Sequence, residues 1–85
     1  MEYYLVIYSS ITLANRVKRR VAKDGSYVGI IHTPKCISKG GCSYAIRCKK
    51  HKLADVKKVS AALKITIRGI YREINEDGNK VYYEV

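Results

Sequence analysis

The run Tyr3-Tyr4-Leu5-Val6-Ile7-Tyr8 contains no glycine, proline or charge. A β-branched and aromatic run of this kind makes a central strand, and the rest of a small chain has to be arranged around it. Alternation puts Tyr3, Leu5 and Ile7 on one face and Tyr4, Val6 and Tyr8 on the other. The first set is expected to face the core, because after Tyr3 its members carry no polar atom.

Ser9, Ser10 and Thr12 then offer hydroxyls for a helix N-cap. The helix is expected from Ile11 to Lys23, with Leu13, Val17 and Val21 as its apolar stripe and Ala14 beside them. Arg16, Lys18, Arg19, Arg20 and Lys23 crowd its C-terminal half, where cations suit the helix dipole. Asp24-Gly25 stops it. Tyr27 to His32 reads as a second strand, ended by Thr33-Pro34. A third strand runs from Ser43 to Lys49. Its Tyr44, Ile46 and Cys48 share one face, and Ser43, Ala45 and Arg47 the other. A second helix spans Lys52 to Leu63, with Leu53, Val56, Val59 or Ser60, and Leu63 apolar at helical spacing. Lys64 to Glu73 reads as a fourth strand. The Asp77-Gly78 turn leads to a last strand, Val81 to Val85, hairpinned onto it.

The order β-α-β-β-α-β with an added C-terminal strand predicts an α+β, ferredoxin-like two-layer sandwich over residues 1–85 as a single domain. Both helices are expected on one side of the sheet. The other side would then expose Tyr4, Val6, Tyr8, Ser43, Ala45, Arg47, Thr66 and Arg68. No apolar run approaches the ~20 residues of a membrane span. The start Met1-Glu2-Tyr3-Tyr4 does not read as a signal peptide, so a cytoplasmic protein is expected.

Between the second and third strands lies Thr33-Pro34-Lys35-Cys36-Ile37-Ser38-Lys39-Gly40-Gly41-Cys42. Strand order alone puts this loop at the sheet edge where the first helix begins. Cys42 would then stand near Ser10, Thr12 and the free amides of that helix, which favour a thiolate over a thiol. Lys35 and Lys39 add positive charge, and Gly40-Gly41 lets backbone amides approach a sulfur. A nucleophilic or sulfur-carrying cysteine needs such surroundings. Cys48, on a strand face with Tyr44 and Ile46, reads as a small buried hydrophobe. Cys36 is either a bystander or a helper.

Other chemistries fit less well. The spacing C-x5-C-x5-C is not the C-x2-C pairing of structural zinc sites, and neither a metal nor a cofactor is expected. Cys42 with His32 could form a catalytic pair, but no third residue is evidently placed to orient the histidine. No set of base, acid and nucleophile emerges, so a carrier or binding protein is expected and not an enzyme. Seventeen Lys and Arg against seven Asp and Glu point to nucleic acid or an acidic protein as partner. Tyr4 and Tyr8 could stack bases on an open sheet face, although the third strand lacks the matching aromatics. Tyrosines on an open face, or the edge of the last strand, could also make a homodimer.

One family resemblance stands out. A strand like Tyr4-Leu5-Val6 leads to a Ser-rich turn. Then follow Thr33-Pro34-Lys35, Ile37-Ser38, Cys42, Ala45-Ile46 and Arg47 in order. This resembles a group of small bacterial proteins described as selenium or sulfur carriers, over about residues 3 to 72. Lys35 stands where the pattern usually has Arg, and Ser43 where it has Gly. The resemblance implies that Cys42 carries sulfur or selenium as a persulfide-type adduct. Ser38, Gly40, Gly41, Ser10 and Thr12 would shape its nest. Lys35, Lys39 and Arg47 would stabilise the thiolate or attract acidic donor and acceptor proteins.

Overall fold

The computed structural model describes residues 2–25, 28–34, 37 and 43–85. They form β1 (Glu2–Tyr8), α1 (Ile11–Val21), a 3-10 turn (Ala22–Asp24), β2 (Gly29–His32), β3 (Tyr44–Cys48), α2 (Lys50–Ala62), β4 (Gly69–Glu76) and β5 (Asn79–Glu84). The five strands make one sheet in the order β2-β3-β1-β4-β5. Every neighbouring pair is antiparallel. Helix α1 packs over β1, β2 and β3, and α2 packs on α1 and β1, giving an α+β arrangement compatible with a two-layer sandwich.

Local chemistry explains most boundaries. The Ser10 hydroxyl accepts from the Leu13 amide at 3.3 Å and caps α1. Gly25, with φ 83°, closes the following 3-10 turn. Asp77 and Gly78 both have positive φ, 48° and 81°, which is the two-residue hairpin geometry that matches the twist of paired strands. The β4–β5 hairpin expected from Asp77-Gly78 is therefore present, with Glu76 opposite Asn79.

The fourth strand begins later than expected. Lys64 adopts a left-handed φ of 57° just past α2. Its amide donates to the Ala61 carbonyl at 3.1 Å, and the Ile65 amide donates to the Ser60 carbonyl at 2.9 Å. These two bonds form a Schellman ending that satisfies carbonyls the helix would otherwise leave free. Residues 64–68 thus finish the helix and bridge to β4 at Gly69, and Thr66 and Arg68 do not lie on a sheet face. Of the expected second strand, Tyr27 lies outside the described residues.

The core face of β1 is the reverse of the expected one. Tyr4, Val6 and Tyr8 face the helices, packed with Ala14, Val17, Val21, Ile46, Cys48 and Val56. Leu5 and Ile7 point to the other side, with Ala45. The expectation rested on tyrosine's polar atom, and that atom is satisfied. The Tyr8 hydroxyl lies 2.6 Å from Ser60 Oγ, and Ser60 donates to the Val56 carbonyl at 2.8 Å. Tyr8 therefore donates into a short chain of bonds that ends on α2. Burial pushes the Tyr8 phenol upward, and the bond to Ser60 pulls it partly back. Tyr4 and Tyr8 are buried and make no platform for stacking bases.

The side without helices is not open at its centre. Leu5, Ile7 and Ala45 are buried there under Ile31, Ile37, Tyr71 and Tyr82. Ala45 lies on this side as expected, and so does Arg47, which meets Glu73 and Tyr3 there. Cys48 is fully buried beneath the helices, as its strand position suggested. Burial raises its thiol from the ordinary 9.0 to about 11.

This packing has four measurable outcomes. Tyr8→Phe should cost about 1 kcal/mol in chemical denaturation, because Ser60 loses a buried partner. Tyr83→Phe, whose exposed hydroxyl reaches Glu76 only at 3.4 Å, should change stability by less than the measurement error. Lys64→Gly removes a left-handed backbone cost and should add about 1 kcal/mol, which raises Tm by about 4–8 °C in a chain of this size. As pH rises from 9.0 toward about 11, the unfolded chain releases the Cys48 proton before the folded one does, so stability should fall across that window. Denaturant titrations at pH 8 and pH 10 would measure this loss, which should shrink in Cys48→Ala.

Candidate functional site

The roots of the β2–β3 connection are well defined. His32 pairs with Tyr44, and Tyr44 pairs with Tyr8 at the end of β1. One step further, the Thr33 amide donates to the Ser43 carbonyl at 3.1 Å. The His32 and Tyr44 rings are 4.7 Å apart, tilted at 39°. The connection therefore leaves and rejoins the sheet at the end where β1 passes through Ser9 and Ser10 into α1. That much of the topological expectation holds. Lys35, Cys36, Ser38, Lys39, Gly40, Gly41 and Cys42 lie outside the described residues. Ile37 donates its amide to Pro34 at 3.1 Å and packs on the Leu5, Ile7 and Ala45 cluster. The described middle of the connection thus touches the sheet face opposite the helices. At its root, the Thr33 hydroxyl is buried with no hydrogen-bond partner among the described residues.

The start of α1 is polarised toward anions. Its first turn contains no acidic residue, while Lys18, Arg19 and Arg20 occupy its last. Ser10 uses its hydroxyl oxygen on the Leu13 amide and its carbonyl on the Ala14 amide at 3.2 Å. The amides of Ile11 and Thr12 come before that first intrahelical bond, so the helix supplies them no acceptor. Thr12 itself is exposed. Ser10 and Thr12 therefore border a helix terminus of uncompensated positive character.

Arg47 is committed elsewhere. Its Nη2 lies 2.9 Å from Glu73 Oε1, and its guanidinium sits 4.1 Å from the centre of the Tyr3 ring. Glu73 is 3% exposed, so removing Arg47 would leave a buried carboxylate without that cation. Arg47 pairs with Leu5 and Gly29, three residues along β3 from Tyr44. At ~3.3 Å per residue that is about 10 Å from the root of the connection. Arg47 thus reads as a structural cation on the helix-free face. Cys48 lies at the far end of β3, opposite Tyr4, and stays a thiol at neutral pH.

A cationic recess went unrecognised in the sequence. A hollow of about 460 Å³ lies at the α1 start and is lined by Ser9, Leu13, Arg16, Lys64, Thr66 and Arg68, with Leu63 and Ile65 in its wall. Arg16, Lys64 and Arg68 are exposed, and none is in an ion pair with another described residue. They come from α1, the end of α2 and the approach to β4. Strand direction could have located them, because α2 must end and β4 must begin at the same sheet end as the β2–β3 connection.

No helix among the described residues is long and apolar enough to cross a membrane. No curated protein and no solved structure gives a significant match. One family model matches residues 3–72, which takes in all of β1 but Glu2, both helices and the whole β2–β3 connection. On that match, the chain belongs to the family described as "Putative Se/S carrier protein-like".

Proposed function

We propose that this protein carries sulfur or selenium on Cys42. The reading is carried by the family match, which spans the β2–β3 connection, together with the burial of Cys48. A fully buried thiol raised to about 11 cannot serve as carrier, which leaves the loop cysteines, and Cys42 has the Gly40-Gly41 approach. In the proposed step, the Cys42 thiolate attacks the outer sulfur of a donor persulfide. One S–S bond forms at Cys42 as the donor's S–S bond breaks. The donor departs as a thiolate, so no external oxidant is consumed. Attack by an acceptor on the outer sulfur then returns the Cys42 thiolate.

The finer assignments belong to the same reading. The order β2-β3-β1-β4 supports a ferredoxin-like frame, with β5 appended at its edge. Ser38, Gly40, Gly41 and the first amides of α1 would line the nest, bordered by Ser10 and Thr12. Lys35 and Lys39 would favour the thiolate. Arg16, Lys64 and Arg68 would receive acidic surface on the donor or acceptor. A persulfide survives in reducing surroundings only when handed directly between proteins, which suits a cytoplasmic carrier without turnover of its own.

A nucleic-acid role is the second reading. It rests on exposed cations of the helix layer, such as Arg19, Arg20, Lys57 and Lys58, and no longer on a tyrosine platform. It predicts affinity for RNA or DNA that falls steeply with salt and is unchanged in Cys42→Ser.

The decisive experiment is Cys42 alkylation against pH in a Cys36→Ser variant, with buried Cys48 as an unreactive internal reference. A midpoint clearly below the ~8.5 of a free thiol is expected. A midpoint at or above that value would overturn the carrier reading. Incubation with a cysteine desulfurase and cysteine should then add sulfur to Cys42, and mass spectrometry of the Cys42 peptide would detect it.

A further inference from the structure

Strand β5 ends the sheet order, with β4 on one side of it. It lies beyond residues 3–72, and neither helix packs extensively on it. Its exposed apolar side chains are unusual for such an edge: Tyr83 is 44% exposed, and Val85, just past the strand, is 64% exposed. Lys80 and Glu84 are also exposed, and neither is in an ion pair with another described residue.

The ladder determines how this edge can be used. The Val85 amide donates to Ile70 of β4 at 2.9 Å. Backbone groups alternate along a strand, so Val81, Tyr83 and Val85 address β4, while Lys80, Tyr82 and Glu84 address the outer edge. The side chains alternate in step. Lys80, Tyr82 and Glu84 lie on the helix-free face, and Val81, Tyr83 and Val85 on the helix side.

The sequence Lys80-Val81-Tyr82-Tyr83-Glu84 is complementary to itself when reversed. We propose that two copies of this chain pair antiparallel through β5, with Tyr82 on the two-fold axis. Lys80 then lies opposite the partner's Glu84, twice, as hydrogen-bonded ladder pairs. Val81 lies opposite the partner's Tyr83, also twice, an aromatic and β-branched pairing on the helix side. Other registers lack this match. Centring on Lys80 or on Glu84 opposes like charges, centring on Val81 sets Lys80 against the tyrosine Tyr82, and centring on Tyr83 sets Glu84 against it, so neither of these two registers pairs Lys80 with Glu84. The result is a continuous ten-stranded sheet with all helices on one side, an isologous dimer. This inference does not depend on the carrier reading.

Sedimentation velocity over a range of concentrations tests it, at an ionic strength where the Debye length is about 8 Å and net-charge repulsion is screened. A reversible monomer–dimer equilibrium is expected. Lys80→Glu and Glu84→Lys should each weaken it by about tenfold, because each turns both charge pairs into like-charge pairs. The double variant Lys80→Glu/Glu84→Lys should restore the dimer. Circular dichroism and thermal melting confirm that each variant is folded, and both substitutions lie on an exposed edge. A monomer at every concentration would overturn the proposal, and Lys80 would then act as an edge guard. A dimer indifferent to the single variants, or one not rescued by the double, would also overturn it.

Discussion

Two-sided burial of β1 is the constraint on which the other features depend. Leu5 and Val6 point to opposite faces of the sheet, and both are fully buried. A strand of this kind needs a cover on each side. Helices α1 and α2 supply the first. The second is assembled from side chains of β2, β4 and β5 together with Ile37 of the β2–β3 connection. Complete burial of a residue of leucine size contributes about 1.5–3 kcal/mol, and the half-buried Ile37 gains a part of that, which gives the connection a stake in the core. The loop that holds the candidate carrier cysteine is thereby tied to the sheet's second face.

Two polar devices make this burial possible. The Tyr8–Ser60–Val56 chain lets a tyrosine lie under the helices without an unsatisfied hydroxyl. Arg47 and Glu73 neutralise each other across β1, with Tyr3 against the guanidinium. Both devices join side chains from elements far apart in sequence. The charge of Arg47 is therefore used internally, although the residue lies in the run that resembles the carrier family.

The three cysteines divide by environment and not by spacing. Cys48 lies under two helices, in a place that penalises the thiolate. The connection bearing the other two is rooted at the end of the sheet where α1 starts, where Arg16, Lys64 and Arg68 face a common recess. That concentration of cations arises because three elements begin or end at one rim. It gives the net charge a local site, where the total of seventeen basic residues indicates only a preference for anions.

Element types, their order, a hydroxyl cap among Ser9, Ser10 and Thr12, the Asp77-Gly78 hairpin and the buried nature of Cys48 were all legible in the sequence, because each rests on local propensity or strict alternation. The family was legible too, through Thr33-Pro34, Ile37-Ser38 and Cys42 in series. Three features were decided only in the folded chain: the direction in which β1 presents its tyrosines, the late start of β4, and the engagement of Arg47. Alternation defines two faces but does not label them. Ser60 on a distant helix chose between those faces, the Schellman ending at Lys64 took residues the strand pattern had claimed, and Glu73 captured the arginine.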